Sequence, residues 1–394
     1  MKELKLQLIG ITLATLLTAC PPVDDTGKPS AAITSPASDA SVSSTVPVQI
    51  DATDNNRVSR VEVYARGRGS TAPGLLIGSA VSAPYVISWN TLGVPNAADL
   101  ELYASAFDTA GNKGDSSAVR VKTANQNVPN LNYLVAYTLP PRPVGITSAR
   151  VGTPSSITGL DASTVLPPQG LNAQTRTRAS QDLQRATAQR SPRAEPVRTF
   201  ALEWSWQAFQ SIGGIAGVDG YGIFSSDVDL AGSYTRVVSQ AASTNSVQKI
   251  SKNFADAFAG KRYFGAVTAI QNNKTTETGY SNGDGAIFLP ANEAISPADN
   301  ATVSDGRPLL QWQGVPGATG YLYFVYDKNP WDSTAQLKWG NSPQSTDQLS
   351  APYPGSRASL PSGKYYWWVA GVGFDVLNKA DSFSFSEPRA FIVP

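Results

Sequence analysis

The chain has 394 residues and a formal net charge of +1, so no global electrostatic field favours nucleic acid or an anionic membrane as a partner. It contains no histidine and one cysteine, which excludes histidine-based catalysis, an intrachain disulfide and a cysteine zinc site. Its 33 glycines and 28 prolines favour short strands and turns over long helices, and its length allows two or three domains.

The chain begins with MKELKLQLIGITLATLLTAC, in which two lysines precede an apolar stretch over residues 6–17. This stretch is shorter than the roughly 20 residues that cross a bilayer core, so residues 1–19 are predicted to form a secretory signal peptide. Residues 20–29, CPPVDDTGKP, are predicted to form a short flexible tether.

The motif LTAC at residues 17–20 resembles the bacterial lipobox, which is a leucine, two small residues and a cysteine. The resemblance implies that Cys20 becomes the lipidated first residue of the mature protein. Several acyl chains make such an anchor stable, since each buried methylene contributes about 0.8 kcal/mol. Pro21 stands where some lipoproteins carry an inner-membrane retention Asp, so the resemblance implies the outer membrane or cell surface of the envelope. An ordinary signal with a chance cysteine is the alternative.

Residues 30–123 alternate apolar and polar positions in short runs separated by turn residues, which predicts an antiparallel β-sandwich. The segments ITSPASDASVS, DNNRVSRVEVYARG, APYVISWNT and LELYASAFDTAGN resemble, in this order, the bacterial immunoglobulin-like (Ig-like) domains of exported proteins. The last segment contains the A-x-D-x-x-G-N turn of that family. The resemblance implies that Asp108 and Asn112 brace a structural turn between late strands.

Residues 124–198 are predicted to be a disordered linker, because Pro, Ser, Thr, Ala, Gln and Arg dominate and no aromatic residue lies between Tyr137 and Phe200. A solvated linker with a short helical piece at 180–189 is favoured over a basic arm that grips anionic polymer or lipid headgroups. Two other possibilities remain open. NLNYLVAYTL could form one more strand, and VGITSARVGTPSS could supply the first strand of the next domain.

Residues 199–290 and 291–394 are predicted to be two copies of one design, because GKRYFGAV aligns with GKYYWWVA and places Tyr263 over Tyr366. Both copies resemble fibronectin type III domains. The matching features are an early tryptophan, a Gly-Tyr strand and a late strand with a tyrosine after a Gly-Lys turn. The resemblance implies two further β-sandwiches, each with a tryptophan in its centre and a tyrosine hydroxyl that ties a loop to the sheet.

No catalytic, cofactor or metal site is predicted. The glutamates of the last two domains are widely scattered, and nothing in the sequence pairs them as a glycosidase would require. Asp219, Asp227 and Asp229 could form an oxygen cage for calcium, but their spacing misses the helical calcium-hand loop and polar turn residues are the favoured interpretation.

The candidate ligand contacts are Trp331, Trp339 and Asp332, in a segment that reads as a loop. Exposed indoles flanked by polar side chains would suit a sugar ring, because the ring stacks on indole while polar groups bind its hydroxyls. Burial of both indoles at the edge of the sandwich is the alternative, and it is favoured. Trp367 and Trp368 are adjacent on a predicted strand, so their side chains must lie on opposite faces.

The sequence therefore predicts an all-β protein of tandem Ig-like and fibronectin type III-like sandwiches behind a lipoprotein signal. The predicted function is a non-catalytic surface lipoprotein that displays β-sandwich modules for protein interaction or envelope scaffolding. Expected partners are the membrane, through lipid on Cys20, and envelope proteins or surface polysaccharide, but not nucleic acid. The alternatives are a carbohydrate- or cell-wall-binding lipoprotein and an accessory subunit of an envelope hydrolase.

Overall fold

The structure, a computed structural model, describes residues 25–143, 154–188, 198–210 and 217–394, without the side chain of residue 157. The predicted signal peptide and the lipidation site Cys20 lie outside the described residues, as do residues 144–153 and 189–197 of the predicted linker. In the described ranges no helix combines the length and hydropathy needed to cross a membrane.

Module 1 is a sandwich of two sheets, as the alternating pattern predicts. A three-stranded sheet, β1-β3-β6, faces a second sheet of order β2-β9-β7-β4-β5, with β8 beside β7. The predicted inward row Val48 and Ile50 is at most 4 % exposed and shares the core with Trp89. The strands are β1 (Ser30–Ser35), β2 (Ala40–Val42), β3 (Thr45–Thr53), β4 (Val58–Gly67), β5 (Leu75–Ala80), β6 (Tyr85–Asn90), β7 (Asp99–Asp108), β8 (Lys113–Asp115) and β9 (Val119–Thr123).

Module 2 begins in the predicted linker, because its first strand is formed by residues 131–139. One sheet has the order β14-β11-β10, and the facing sheet has the order β13-β12-β15-β16, with β17 also on β15. The strands are β10 (Leu131–Leu139), β11 (Thr199–Gln207), β12 (Val218–Ser226), β13 (Thr235–Ala241), β14 (Val247–Asn253), β15 (Arg262–Gln271), β16 (Thr276–Glu277) and β17 (Asp284–Ile287).

Module 3 repeats this arrangement. One sheet has the order β18-β20-β23, and β22-β21-β24 faces it, with β25 and β26 along the other side of β24 and β19 on β26. In module 2 the first, second and fifth strands face the others, which is the fibronectin type III order, and module 3 has the same order when the two-residue strand β19 is left out of the count. The strands are β18 (Ala294–Ser296), β19 (Ala301–Thr302), β20 (Leu309–Trp312), β21 (Gly320–Tyr326), β22 (Leu337–Gly340), β23 (Ser350–Pro352), β24 (Gly363–Phe374), β25 (Ala380–Phe385) and β26 (Arg389–Val393).

The predicted alignment of the two copies is wrong by one residue. Tyr221 pairs with Ala269 in module 2 and Tyr321 pairs with Gly371 in module 3, so counting back six residues matches Tyr263 with Tyr365. Both of these rings are buried, at 5 % and 7 % exposed. A shift of one residue moves a strand's side chains to the opposite face of the sheet. Because β24 contains the doublets Tyr-Tyr and Trp-Trp, an aromatic residue stands at the aligned position in either register, and the sequence alone does not reveal the correct one.

Modules 2 and 3 share one continuous sheet. Strand β10 pairs antiparallel with β11 on one side and parallel with β25 on the other, through Ala136–Ser382, Tyr137–Phe383 and Thr138–Ser384. The resulting path is β14-β11-β10-β25-β24-β21-β22, within a sheet of nine strands. The rings of Tyr137 and Phe383 stack across this joint with centroids 5.3 Å apart.

The described parts of the predicted linker are ordered, so the prediction of a disordered linker is wrong there. Helix α1 (Pro154–Thr158), a short 3-10 helix (Ala162–Thr164) and helix α2 (Ala173–Ala188) follow β10. The predicted helical piece is confirmed, but the helix begins at Ala173. Leu160, Ala162 and Val165 are at most 5 % exposed and pack on the outer face of the shared sheet. These three side chains cover an apolar surface that modules 2 and 3 supply. The composition of the segment itself gives no sign of this surface, so it predicts disorder.

Module 1 contacts module 2 through the loop after β12. Leu230 and Ala231 of this loop pack against the core of module 1. Buried Asp229 accepts a hydrogen bond from Gly67 N across the junction at 3.0 Å, and Asn96 N donates to Ser281 O at 2.8 Å.

Candidate functional site

Asp108 and Asn112 close the turn after β7, in the arrangement that the Ig-like resemblance implies. The N–H and the side-chain amide of Asn112 donate to the two Asp108 carboxylate oxygens at 2.8 and 2.7 Å. Burial by itself would raise the pKa of Asp108, but hydrogen bonds from Asn112 and the turn backbone outweigh it and lower the pKa. The carboxylate therefore stays charged in a site that is 3 % exposed.

Two further carboxylates converge on this turn. Asp25, Asp54 and Asp108 each place one oxygen within 4.8 Å of the others. Asp25 Oδ2 and Asp54 Oδ1 are shielded from solvent and lack a hydrogen-bond partner in the described part of the chain. Carboxylate oxygens suit a hard divalent cation, and three of them supply about half of the six to eight ligands that calcium takes.

Sequence reasoning missed this cluster because its members belong to three different predicted elements. Asp25 was expected in a flexible tether and Asp108 in a structural turn, and no prediction was made for Asp54. The available signal is topological. Asp54 directly follows β3, Asp108 is the last residue of β7, and these two strand ends lie close together in the sandwich. The position of Asp25 depends on a tertiary contact, in which Asn112 Nδ2 donates to the Asp25 carbonyl at 2.7 Å.

The three aspartates considered as a calcium cage in module 2 lie in separate turns and contacts. Asp219 accepts from Lys274 N at 3.0 Å, Asp227 pairs with Lys261 at 3.0 Å and Asp229 accepts from Ala231 N at 2.8 Å. These separate partners agree with the favoured interpretation, in which the three aspartates are polar turn residues.

Trp331 and Trp339 are buried, so their interpretation as exposed ligand contacts is wrong, and the favoured interpretation of burial agrees with the structure. Trp331 is 5 % exposed and packs edge-on against Trp368, with ring centroids 6.3 Å apart. Trp339 is 4 % exposed and lies between Tyr323 and Tyr353, each 5.0 Å from its centroid. Both rings therefore fill apolar cores, and neither offers a flat face for a sugar.

Asp332, the third predicted contact, closes a local turn. Its carboxylate Oδ1 accepts hydrogen bonds from the backbone N–H and the hydroxyl of Thr334, each at 2.8 Å. Such bonds are typical of an Asp at the start of a turn. The carboxylate is thus already occupied by its own loop.

Trp367 and Trp368 lie on opposite faces of β24, as their adjacency predicts. Both are fully buried, because Trp367 belongs to the interior of module 3 and Trp368 lies beneath the segment that follows β10. The outer face of the sheet therefore has its own apolar core.

Glu203 is buried but serves the fold. Its two carboxylate oxygens accept hydrogen bonds from the Tyr133 hydroxyl at 3.1 Å and from Ser155 N at 3.0 Å. These bonds connect β11 to β10 and to helix α1. Glu277 is paired with Arg236 at 2.5 Å, and Glu387 lies 3.7 Å from Arg198. In the described residues these three glutamates have separate partners, and Glu387 lines one cavity of about 820 Å³ together with Glu293.

Comparison with known proteins supports the fold of the first module. Residues 29–121 match the family model of a bacterial Ig domain. No curated protein matches the chain significantly. Among solved structures, fibronectin(III)-like modules of Clostridium thermocellum CbhA are 23 % identical, with 24 % of this chain and 94 % of that chain covered and a TM-score of 0.20.

Two longer structures show lower identity. The FN1–FN3 domains of chicken CNTN1 are 13 % identical, covering 93 % of this chain and 98 % of that chain at a TM-score of 0.25. A tetra-tandem repeat in the extending region of a large adhesion protein is 10 % identical, covering 93 % and 74 % at a TM-score of 0.20. The assignment of modules 2 and 3 rests on their strand order. The chain is a bacterial Ig-like domain followed by two fibronectin type III-like sandwiches.

Proposed function

We propose that this chain is a non-catalytic lipoprotein of the bacterial envelope that presents a stiff series of β-sandwiches for protein interaction or scaffolding. The observation that supports a scaffold most directly is the shared sheet of modules 2 and 3, joined through β10 and β25. Backbone hydrogen bonds across a module boundary resist bending far better than a flexible linker. In this arrangement modules 2 and 3 form one continuous body, with a single proposed anchor point on the chain.

The anchor would lie close to module 1. Asp25 lies five positions after Cys20, a distance of at most about 18 Å when the chain is fully extended. Residues 25–29 of the predicted tether are packed on module 1. Pro29 is buried, and its backbone carbonyl lies so close to Gly114 that a Cβ at that glycine would be only 1.7 Å from Pro29 O. Module 1 and its carboxylate cluster would therefore face the membrane surface, while module 3 would extend away from it.

Replacing Cys20 tests the anchor. Cys20→Ala should move the protein from the detergent-soluble membrane fraction to the soluble fraction, and should abolish incorporation of labelled fatty acid. Asp332→Ala, a change far from the signal, is the matched control and should leave fractionation unchanged. Wild-type protein that carries no lipid and fractionates as soluble would contradict the proposal.

Crosslinking in intact cells tests the interaction role. The wild-type chain should yield discrete crosslinked protein species, and these should decrease in the Cys20→Ala variant because tethering raises the local concentration of envelope partners. Recovery of the uncrosslinked chain alone would contradict the interaction role without bearing on the anchor.

A further inference from the structure

A cavity of about 460 Å³ lies where helix α2, module 2 and module 3 meet. This volume falls within the range of pockets that bind small molecules. The loop of module 2 that docks on module 1 also reaches this cavity through Leu230. The walls are largely apolar and include Leu183, Leu230, Phe264, Ile287 and Phe374.

Three polar groups stand out on this apolar lining. Asp381 is 9 % exposed, and its carboxylate accepts a hydrogen bond from the Ser382 hydroxyl at 2.7 Å. Thr319 is 8 % exposed, and its hydroxyl has no hydrogen-bond partner among the described residues. Asp284 accepts hydrogen bonds from Leu134 N at 3.1 Å and Gly285 N at 2.9 Å. A buried hydroxyl without a partner is costly unless something else binds it.

The positive charges around the cavity do not neutralise Asp381. Across the described ranges, no Lys or Arg nitrogen lies within the 4.0 Å ion-pair distance of its carboxylate. Lys379 Nζ is 3.9 Å from Asp284 Oδ2, and the guanidinium of Arg176 binds Asn378 Oδ1 at the rim. Arg262 is exposed and acts on Asp381 only through space.

Burial therefore dominates the titration of both carboxyl groups. It raises the pKa of Asp381 to about 6, against the opposing effects of Arg262 and the Ser382 hydrogen bond, while Asp284 and Asp375 raise it further. Burial also raises the pKa of Asp284 despite Lys379 and two backbone N–H groups. A cation placed between these groups would be favoured, because it would compensate the charge of Asp381, which no described ion pair neutralises.

We propose that this cavity binds a primary alkylammonium group, with Asp381, Asp284 and the Thr319 hydroxyl as acceptors for its three N–H donors. The alkyl stem packs against the apolar walls, including Phe264 and Phe374. The number of acceptors and the apolar lining together distinguish this ligand from a metal ion, which would need more oxygen ligands than these side chains supply. The ammonium belongs either to a free small amine or to a lysine side chain of a partner protein.

Calorimetric titration of the full chain at pH 7.5 tests the proposal with n-butylammonium as the probe. Binding of n-butylammonium is expected, and binding of 1-butanol or butyrate, which have the same stem without the positive charge, is not. Equal binding of 1-butanol would overturn the proposal, as would binding of sodium, potassium or calcium ions at the same site in place of the amine. Absence of any binding would overturn it as well.

A peptide arm separates the two sources of the amine. If acetyl-Ala-Lys-Ala-amide binds more tightly than n-butylammonium, the natural ligand is a partner's lysine, and if it does not bind, the ligand is a free amine. Acetylation of the lysine removes the charge and should abolish peptide binding. An acetylated peptide that binds equally well would count against recognition of the ammonium.

Two substitutions assign the site. Asp381→Asn should weaken n-butylammonium binding at least about tenfold, because it removes a charged acceptor without changing shape. Thr319→Val should weaken it about threefold, and since this hydroxyl has no partner in the described chain, the variant should fold normally. Asp347→Asn, which removes the same charge from an exposed position, is the control and should not alter binding. Unchanged affinity in both cavity variants would overturn the assignment.

The pH dependence provides an independent measurement. Affinity for n-butylammonium should fall as the pH drops from 7.5 through 6, where Asp381 becomes protonated and neutral. The folded pKa of Asp381 lies above its unfolded value, so its contribution to stability is present at acid pH and is lost as the pH rises through about 6. Asp381→Asn should therefore be no less stable than wild type at pH 7.5, and its affinity should fall less than that of the wild type over this pH range, because only Asp284 can still become protonated. Affinity in the wild type that is constant from pH 7.5 to 5 would contradict a role for this carboxylate.

Discussion

Individual tryptophans show how a side chain's surroundings override its local sequence. Trp331 and Trp339 stand among Asp, Asn, Lys and Gln, and such a segment reads as an exposed loop. In the structure all eight tryptophans are at most 5 % exposed. An indole in a polar loop is buried when a neighbouring element supplies the apolar surface, and for Trp331 that surface is Trp368 and the outer face of the shared sheet.

Replacement of Trp331 by alanine should lower the free energy of unfolding by about 3–5 kcal/mol, the usual cost of emptying a buried aromatic site. Equilibrium unfolding in guanidinium chloride measures the change. Leu377→Ala is the control, because Leu377 is 72 % exposed and its loss should cost less than about 0.5 kcal/mol. Unchanged stability of the Trp331 variant would restore the interpretation of an exposed binding surface.

Among the elements, the segment between β10 and β11 differs most from its sequence-based prediction. Helix α2 is polar over most of its length, and Leu183 is its one buried residue among those described. This side chain packs on Gly317, whose φ of +89° suits glycine and where a Cβ would lie 3.0 Å from Leu183 Cδ2. A helix that docks through one buried leucine has no repeating row of apolar residues, so the sequence lacks the helical periodicity that would predict its packing.

Leu183→Asp should release α2 from the body of the protein without unfolding the sandwiches. The buried carboxylate would have no partner, so the helix should undock and trypsin should cleave after Arg176, Arg178 or Arg185 at least about tenfold faster. The rate of cleavage at these sites, followed by mass spectrometry, measures the effect. Thr177→Asp adds the same charge on the exposed face of α2 and should cleave at the wild-type rate. Equal rates for both variants would show that Leu183 does not hold the helix.

At the scale of the whole molecule, β10 determines the architecture. It is the first strand of module 2, yet its other edge forms the boundary with module 3 through β25. Ala136 is fully buried and pairs with Leu202 on one side and Ser382 on the other. Modules 2 and 3 should therefore unfold together, since separating them exposes a sheet edge and the core packed on it.

Scanning calorimetry of Ala136→Pro tests this coupling. Proline removes one ladder hydrogen bond and is tolerated in sheets essentially only at edge strands or bulges, so in the central strand β10 it should be strongly destabilising. The transition shared by modules 2 and 3 in the wild type should move to lower temperature and split in two. Ala136→Gly keeps the backbone donor and should leave a single transition, although at slightly lower temperature. Two separate transitions already present in the wild type would contradict the coupling.

The sequence by itself determined the all-β class, because alternation of apolar and polar residues is a local property of the chain. The resemblance to bacterial Ig-like domains implied the first module and its Asp108–Asn112 turn. The sequence also indicated the two later sandwiches and the opposite faces of Trp367 and Trp368. Only the tertiary structure decided that β10 joins two modules, that the polar segment behind it covers their common sheet, and that Asp25, Asp54 and Asp108 converge. Each of these depends on residues far apart in the chain, and the apolar surface that orders one segment is supplied by another, so no local pattern records it.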